Sequence, residues 1–194
     1  PSCVEALELS LESGIILHEQ NKVFFKHELY RRTIEASLSP LLRVSLNKRI
    51  LDLFLNDFEQ KKEIERIIHH AKNANEYELV THYALIAAKH TSCIGAHIES
   101  AKLYFSAIEY YQGHDKNKLH ELYEGYAYEC YLINKHKDAI IYMNRSLKLW
   151  EGQEDIERSS DCMRFLSRLY WVDGNRKQAE SFAKQAIDLL DDQP

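Results

Sequence analysis

One pattern of small and apolar residues occurs three times in the second half of the chain. Its copies begin at Ser100, Ala139 and Ala179, which lie 39 and 40 residues apart. Within each copy the residues follow one another in steps of three and four, which places all six on one side of an α-helix. The three sets are Ser100, Leu103, Tyr104, Ala107, Ile108 and Tyr111; Ala139, Tyr142, Met143, Ser146, Leu147 and Trp150; and Ala179, Phe182, Ala183, Ala186, Ile187 and Leu190. A helix repeated at this interval predicts a helical solenoid.

Each copy continues upstream into a second helix. A small residue lies twelve positions before each start, and a turn residue follows seven positions after it. The small residues are Ala88, Ala127 and Ser167, and the turn residues are Gly95, Asn134 and Gly174. This arrangement predicts antiparallel helix pairs whose backbones approach closely at the small residues. It resembles the tetratricopeptide repeat, although the period is longer than the usual 34 residues or so. The predicted fold class is all-α, a tetratricopeptide-like antiparallel helical-hairpin solenoid.

The first part of the chain follows a different plan. Its predicted elements are a helix with a Ser2–Glu5 capping box that ends at Gly14, strands Ile15–His18 and Lys22–His27 around a turn at Gln20 and Asn21, and a helix from about Glu28 to Ala36. Helix, β-hairpin and helix in this order are typical of the last part of a winged-helix module. We therefore expect an incomplete winged helix over 1–39, followed by an array of about four helical hairpins over 40–194.

The first hairpin of this array is degenerate. Ser39 and Pro40 supply an N-cap and a first-turn proline for one helix. The apolar residues assigned to it are Leu42, Leu46, Ile50, Leu53 and Phe54, and those assigned to the next helix are Ile64, Ile67, Ile68 and Ala71. Further along, Gly125 lies inside a predicted helix, where it indicates a close contact with a neighbouring helix rather than a break.

Several short motifs resemble a known family of bacterial proteins. They are Val23-Phe24-Phe25-Lys26-His27-Glu28-Leu29, Arg31-Arg32, Ser37-Leu38-Ser39-Pro40, His69-His70-Ala71 and the stretch from Gly95 to Ala101. In this order they resemble STAND-type signalling ATPases, including the LuxR-type large ATP-dependent transcription factors. The resemblance implies a winged helix between a nucleotide-binding domain and tetratricopeptide-like helices. It implies the non-catalytic sensor and protein-interaction region of a cytoplasmic ATP-dependent signalling or transcriptional regulator. A free-standing tetratricopeptide adaptor for a protein or peptide partner is the alternative.

The same resemblance implies one nucleotide contact, at His27. In related switch ATPases a histidine of the winged helix contacts the ADP phosphates, and His27 is the matching position. Lys26, Arg31 and Arg32 add positive potential nearby. The alternative is that His27 caps the following helix or packs on the hairpin. The chain has six glycines and no G-x-x-x-x-G-K-[S/T] motif, so we expect no cofactor in this segment, with ATP or ADP bound elsewhere in a parent protein.

Charge and motif patterns argue against several other functions. The net charge is −5, but the segment 22–49 carries seven basic and two acidic residues, a local +5. We interpret this segment as a solvated face or a contact with an ATPase domain, and expect no nucleic-acid binding. The side chains of His69 and His70 point about 100° apart on a helix, and no H-E-x-x-H motif occurs, so no metal site is expected. No nucleophile elbow is present either, and the segment is predicted not to be an enzyme.

Partner binding is assigned to the central repeats and to the terminal helix. Tyr128 and Tyr131 are placed near the inner surface of the solenoid, where they would contact a protein or peptide. Packing between repeats is the alternative for these two tyrosines. The last helix, which carries the third copy of the pattern, has no following helix to cover its outer side. We therefore expect a homodimer through it, or contact with further repeats.

The remaining features concern the surroundings of the chain. The sequence begins Pro-Ser-Cys without an initiator Met or a signal-peptide layout, and we expect it to be a piece of a longer cytoplasmic protein. No apolar run is long enough to cross a membrane, so membrane binding is not expected. Four scattered cysteines favour reduced, buried thiols over disulfides.

Overall fold

The computed structural model describes residues 3–20, 22–56 and 63–191, which form helices and one short antiparallel β-hairpin. In chain order the elements are α1 Cys3–Glu12, β1 Ile16–Glu19, β2 Lys22–Phe25, α2 Glu28–Ser37, α3 Pro40–Asn56, α4 Ile64–Asn73, α5 Tyr77–Cys93, α6 His97–Glu109, α7 Lys116–Leu132, α8 His136–Glu151, α9 Ile156–Val172 and α10 Arg176–Asp191. From α3 onward each helix packs against the next one in sequence. The all-α, tetratricopeptide-like fold predicted from the sequence is therefore confirmed.

The small residues twelve positions apart are the points where the two helices of each repeat meet. In the pair α5–α6, Ser100 Oγ donates a hydrogen bond of 2.9 Å to the carbonyl oxygen of Ala88. In α9–α10 the direction is reversed, and Ser167 Oγ donates to the carbonyl of Ala179 at 2.8 Å. The pair α7–α8 has alanines at both positions, and both are completely buried. A larger side chain at these positions would separate the helices, which explains why only Ala and Ser occupy them.

The turns between these paired helices share one backbone geometry. Gly95, Asn134 and Gly174 have φ angles of 78°, 60° and 83°, in the left-handed region. After α5, the N–H of Ala96 donates back to the carbonyl of Thr91 at 2.9 Å, which closes a Schellman-type cap. Glycine adopts this conformation without strain, and asparagine is among the few other residues that tolerate it. The three turn positions of the repeat are thus explained by helix termination.

The apolar faces of the paired helices form one continuous core. The side chains of the pattern are buried or half-buried in the first two copies, and only the end of the third copy is exposed. Gly125 of α7 lies directly against the ring of Tyr104 of α6, since a Cβ atom built on it would lie 2.4 Å from Tyr104 Cε1. The close helix contact expected at Gly125 is therefore present.

Helix α3 packs through a different side from the one that its apolar residues suggest. Leu42, Ile50 and Leu53 are exposed, whereas Leu51 and Phe54 are buried. The buried side faces α4, where Asn47 Oδ1 and His70 Nδ1 form a hydrogen bond of 2.8 Å. Of the apolar set assigned from the sequence, Phe54 is therefore buried, whereas Leu42, Ile50 and Leu53 lie on the exposed side. For α4 the assignment is correct, because Ile67, Ile68 and Ala71 are buried.

The first elements match the predicted order of helix, hairpin and helix. Gly14, with φ 67°, ends α1, and β1 pairs with β2 from Ile16 opposite Phe25 to Glu19 opposite Lys22. The second strand stops at Phe25, two residues earlier than predicted. The predicted cap Ser2 and the turn residue Asn21 lie outside the described residues. The division of the chain at residues 39 and 40 stays a prediction.

The start of α3 has the cap that the sequence predicts. Ser39 Oγ accepts a hydrogen bond of 3.3 Å from the backbone N–H of Leu42, and Pro40 occupies the first turn.

Among the described residues, no helix combines the length and the hydropathy needed to cross a bilayer.

Candidate interaction groove

A groove of about 540 Å³ runs between helices α7 and α9, and we call it the α7–α9 groove. Its polar and aromatic walls are formed by Tyr128 of α7 and by Arg158, Asp161, Arg164, Phe165 and Arg168 of α9. On α9, positions 158, 161, 165 and 168 are separated by steps of three and four, so these side chains share one side of the helix. The opposite side of α9 contributes Leu166 and Met163 to the core.

An aromatic cluster lines one end of the groove. The ring of Phe165 lies 6.2 Å from that of Tyr128 and 5.7 Å from that of Tyr131, centre to centre. Tyr128 is about half exposed, whereas Tyr131 is partly buried and carries the guanidinium of Arg168 over its ring at 5.2 Å. Tyr128 therefore lines the open groove, and Tyr131 packs between the helices behind it. Partner binding by Tyr128 and Tyr131 stays a prediction.

Two of the three arginines in the groove have no acidic partner among the described residues. Arg164 forms an ion pair with Asp161 on its own helix, with 2.8 Å between Nη2 and Oδ1. The guanidinium of Arg158 lies 5.9 Å from the centre of the Trp150 ring, and that of Arg168 lies over Tyr131. The groove thus presents positive charge and aromatic surface side by side, in a chain whose net charge is −5.

The floor of the groove is fixed by the carboxylate of Glu124. Its Oε1 accepts hydrogen bonds from Ser146 Oγ at 2.8 Å and from Trp150 Nε1 at 2.7 Å. The thiol of Cys162 is a further, longer donor at 3.8 Å. Burial raises the pKa of the Cys162 thiol to about 12, which keeps it protonated and able to donate. Glu124 therefore connects α7, α8 and α9, and its negative charge is largely satisfied inside the protein.

A buried histidine extends this network. His120 stacks on the indole of Trp150, with 3.4 Å between ring centres. Its Nδ1 lies 3.0 Å from Ser146 Oγ, and its Nε2 lies 2.7 Å from Gln153 Nε2. A neutral ring with its proton on Nδ1 satisfies both contacts, because Ser146 then donates to Glu124. Burial lowers the pKa of His120, in agreement with this neutral form. Ser146 and His120 are buried in the core, and Glu124 connects them to the groove.

Five residues of the groove and its floor were not predicted from the sequence, namely His120, Glu124, Arg158, Phe165 and Arg168. Arg158, Phe165 and Arg168 lie seven and three positions apart, a spacing that places them on one side of a helix. The sequence does not show that α9 lies beside α7, whose Tyr128 and Tyr131 rings approach Phe165. His120 and Glu124 lie four positions apart, so the sequence also predicts that they share one side of α7.

His27 lies at the N-terminal end of α2, apart from the groove. It is exposed, its side chain makes no capping hydrogen bond, and its ring contacts that of Tyr30 edge-on at 5.5 Å. Arg31 pairs with Glu28 and with Glu35, and Arg32 lies 3.1 Å from Glu28. These arginines are therefore committed to carboxylates of their own helix. The nucleotide contact of His27 stays a prediction.

The basic segment 22–49 forms further contacts within the chain. Lys48 Nζ lies 2.5 Å from Glu76 Oε1, and Arg43 donates a hydrogen bond of 2.8 Å to the carbonyl of Glu35. These contacts, with the pairs of Arg31 and Arg32, engage four of its seven basic residues. The interpretation of this segment as a solvated face or a contact with an ATPase domain, without nucleic-acid binding, stays a prediction.

The histidines and cysteines were considered as metal ligands. Within the described residues, no group of three or more His, Cys, Asp or Glu side chains could hold a metal ion. The rings of His69 and His70 are nearly perpendicular, at 83°. Cys130 and Cys162 are free and buried, as expected, but the free Cys93 is exposed because it lies on the outer side of the last turn of α5.

The terminal helix α10 leaves part of its pattern uncovered. Ile187 and Leu190 are 59% and 50% exposed, whereas the equivalent Leu147 of α8 is buried and Trp150 is half-buried under α9. The difference arises because no described helix follows α10. Dimerisation through this surface stays a prediction.

Comparisons with known proteins find weak similarity to solved structures and no other match. No protein-family model and no curated protein matches the chain. Among solved structures it is similar to BtubC (BKLC) from P. vanneervenii, at 12% identity over 79% of this chain and 91% of that one, with a TM-score of 0.35. It is also similar to the MamA protein, at 12% identity over 76% and 91% of the two chains, with a TM-score of 0.32. Such weak likeness carries no argument about function.

Proposed function

We propose that this chain is the non-catalytic sensor and protein-interaction region of a cytoplasmic, ATP-dependent signalling or transcriptional regulator of the STAND type. The tetratricopeptide-like fold is consistent with a protein-interaction region, because stacked helical hairpins present long open surfaces to a partner. The single observation that carries the proposal is the α7–α9 groove, where the half-exposed Tyr128 lies beside Arg158 and Arg168 without acidic partners. Aromatic and arginine side chains are the residue types enriched at protein interfaces.

The regulator context depends on the motifs around the β-hairpin. The motif from Val23 to Leu29 falls on β2 and the start of α2, in the order that the resemblance requires. The exposed side chains of Lys26 and His27 are suited to a single phosphate contact, since an imidazole N–H can donate to a phosphate oxygen. ADP, when bound, would supply that phosphate. The rest of a nucleotide site would have to come from an ATPase domain.

The parent reading frame provides the decisive test of this proposal. A phosphate-binding loop of the form G-x-x-x-x-G-K-[S/T], encoded some hundreds of residues before Pro1, is the expected finding. Its absence would contradict the regulator and favour the free-standing adaptor. In the parent protein, His27→Ala should speed the release of ADP, while His18→Ala on the same hairpin serves as the matched control. Unchanged ADP release in His27→Ala would contradict the role of His27.

Self-association through α10 is a separate part of the proposal. The exposed Ile187 and Leu190 would pack against a second copy of the same helix, which removes apolar surface from water. Light scattering of the wild type should then give a mass that rises with concentration. Ile187→Glu should reduce this effect, and Leu53→Glu, at an equally exposed apolar position on α3, should not. A monomer at all concentrations would contradict the dimer.

A further inference from the structure

We propose that the α7–α9 groove binds an extended acidic peptide segment with an apolar residue between two carboxylates. This inference rests on the proposed function and specifies the chemistry of its partner. It depends on three side chains of α9 that face the groove, namely Arg158, Phe165 and Arg168.

Charge complementarity is the first argument. Asp161 lies between the two arginines along α9, but its carboxylate is already paired with Arg164. Glu124 is occupied by donors from α8 and α9. The guanidinium groups of Arg158 and Arg168 therefore lack a carboxylate among the described residues, and each retains free N–H donors. Each contacts only the face of an aromatic ring, at Trp150 and Tyr131 respectively. Carboxylates are the groups that such donors bind best.

The spacing of the arginines defines the spacing of the carboxylates. Arg158 and Arg168 are ten positions apart, which corresponds to about 15 Å along the helix axis. In an extended peptide, residues four positions apart are separated by about 13 Å and point to the same side. The long arginine side chains cover the remaining difference. Two acidic residues about four positions apart would therefore contact both guanidinium groups at once.

The aromatic rings of the groove determine the peptide residue preferred between the two carboxylates. Phe165 lies between the two arginines along α9, and the half-exposed ring of Tyr128 is 6.2 Å from it across the groove. In the extended peptide, the residue midway between the two carboxylates points to the same side as they do. An apolar side chain there would cover both rings and remove their surface from water. The preferred segment is thus acidic, any, apolar, any, acidic.

A peptide titration tests this inference on the full chain. The probe is a fluorescein-labelled peptide with Glu, Leu and Glu at alternate positions in a glycine–serine background, followed by fluorescence anisotropy. Exposed ion pairs are worth up to about 1 kcal/mol, so Arg158→Gln and Arg168→Gln should each weaken binding about threefold to fivefold, and the double variant about tenfold or more. Added salt should weaken the wild-type complex.

Matched controls separate the groove from general charge effects. Arg145→Gln removes a guanidinium that also lies over a tyrosine ring, at 4.5 Å from Tyr142, but on α8 outside the groove. It should leave the affinity unchanged. A peptide with Gln in place of both Glu residues should bind at least tenfold more weakly. A peptide with the two Glu residues adjacent should bind several-fold more weakly than the alternating one.

Each contrary result has a distinct meaning. Equal binding of the Gln peptide, with affinity lost in Tyr128→Ala, would overturn the acidic specificity and leave the groove as a peptide site. Equal losses in Arg145→Gln and Arg158→Gln would overturn the assignment to the groove. Failure of every peptide to bind would also overturn the inference, and the parent reading frame would still test the proposed function separately. Displacement of the peptide by a single-stranded RNA oligonucleotide of higher affinity would overturn the partner class.

Discussion

The N-terminal region, residues 3–37, and the helical pairs from α5 to α10 use similar amphipathic patterns with opposite results. In the N-terminal region Ile16 is the one buried apolar side chain among the described residues. Its exposed apolar side chains are Val4, Leu7, Leu9, Leu17, Val23, Phe24, Leu29, Tyr30 and Ile34. By contrast, every helix from α5 to α10 has buried residues.

The apolar side of an amphipathic helix is therefore buried only where another element of the fold covers it. Helix α2 has no buried residue, and its side chains are held by ion pairs on its own surface. Each helix from α4 to α9 instead lies between its two sequence neighbours, and the helices from α3 to α10 contribute to one core. The stability of the array should therefore depend on packing, and that of α2 on surface charge.

The largest expected effect comes from a matched pair of leucine truncations. Leu166 of α9 is completely buried, and Leu29 of α2 is 74% exposed. Leu166→Ala should lower the free energy of unfolding by about 2–5 kcal/mol, because it removes buried apolar surface and leaves a cavity. Leu29→Ala should change it by less than about 0.5 kcal/mol. Urea unfolding followed by circular dichroism measures both. Comparable losses would contradict the contrast between the two regions.

Gly125→Ala tests how tightly the array is packed. Alanine favours a helix by about 1 kcal/mol over glycine, but its methyl group would overlap the ring of Tyr104. Tyr104 is itself buried, so the ring or the helices must shift, and we expect a net loss of about 1–3 kcal/mol. Gly152→Ala is the control, because its Cβ would lie 3.4 Å from the nearest atom, the carbonyl oxygen of Lys148. A stabilising Gly125→Ala would show that α6 and α7 tolerate separation.

The buried His120 should make the stability of the array depend on pH. Its folded pKa is lowered mainly by burial, with Lys116 and Arg158 acting in the same direction and Glu124 and Asp155 opposing them. As the pH falls below about 6.5, the unfolded chain takes up the proton first, so stability declines until the folded pKa is reached.

This decline has an upper limit of about 1.4 kcal/mol per pH unit for one histidine. Urea unfolding between pH 8 and pH 5 should show it in the wild type, with a smaller slope in His120→Gln. His70, whose pKa is also lowered by burial, should contribute a separate share that His70→Gln removes. An unchanged slope in His120→Gln would contradict the neutral, buried form of this side chain.

The sequence predicts the repeats well because their signal is local. The small residues Ala88 and Ser100 are twelve positions apart on two paired helices, and a fixed spacing identifies both. The side of α3 that packs is not a local property, since Leu51 and Phe54 are buried only because α4 lies against them. The groove also depends on tertiary structure, because the packing of α7 and α9 on α8 brings Tyr128 opposite Phe165. Spacing therefore predicts which residues share a side of a helix, and only the tertiary contacts decide what that side meets.

The smallest expected effect concerns the ion pairs that hold α2. Hydrogen bonds from Arg31 and Arg32 lower the pKa of Glu28 to about 2, so the carboxylate stays charged and paired in mild acid. The ionised Glu28 carboxylate stabilises α2 fully above its unfolded pKa of about 4.5, and this stabilisation is lost as the pH falls toward 2. Glu28→Gln should lower the helicity of α2, seen in Cα chemical shifts, and abolish its change over this pH range. The unfolding midpoint of the array should not move.

The matched control for this prediction lies in the array. Glu99 of α6 forms an exposed ion pair with Lys102 at 3.0 Å, of the same kind as the pairs in α2. Because α6 is also held by buried residues such as Ala107, Glu99→Gln should leave its helicity unchanged. An equal loss of helicity in α6 would mean that surface charge, rather than packing, holds helices in both regions. An unaffected α2 in Glu28→Gln would mean that other contacts hold that helix.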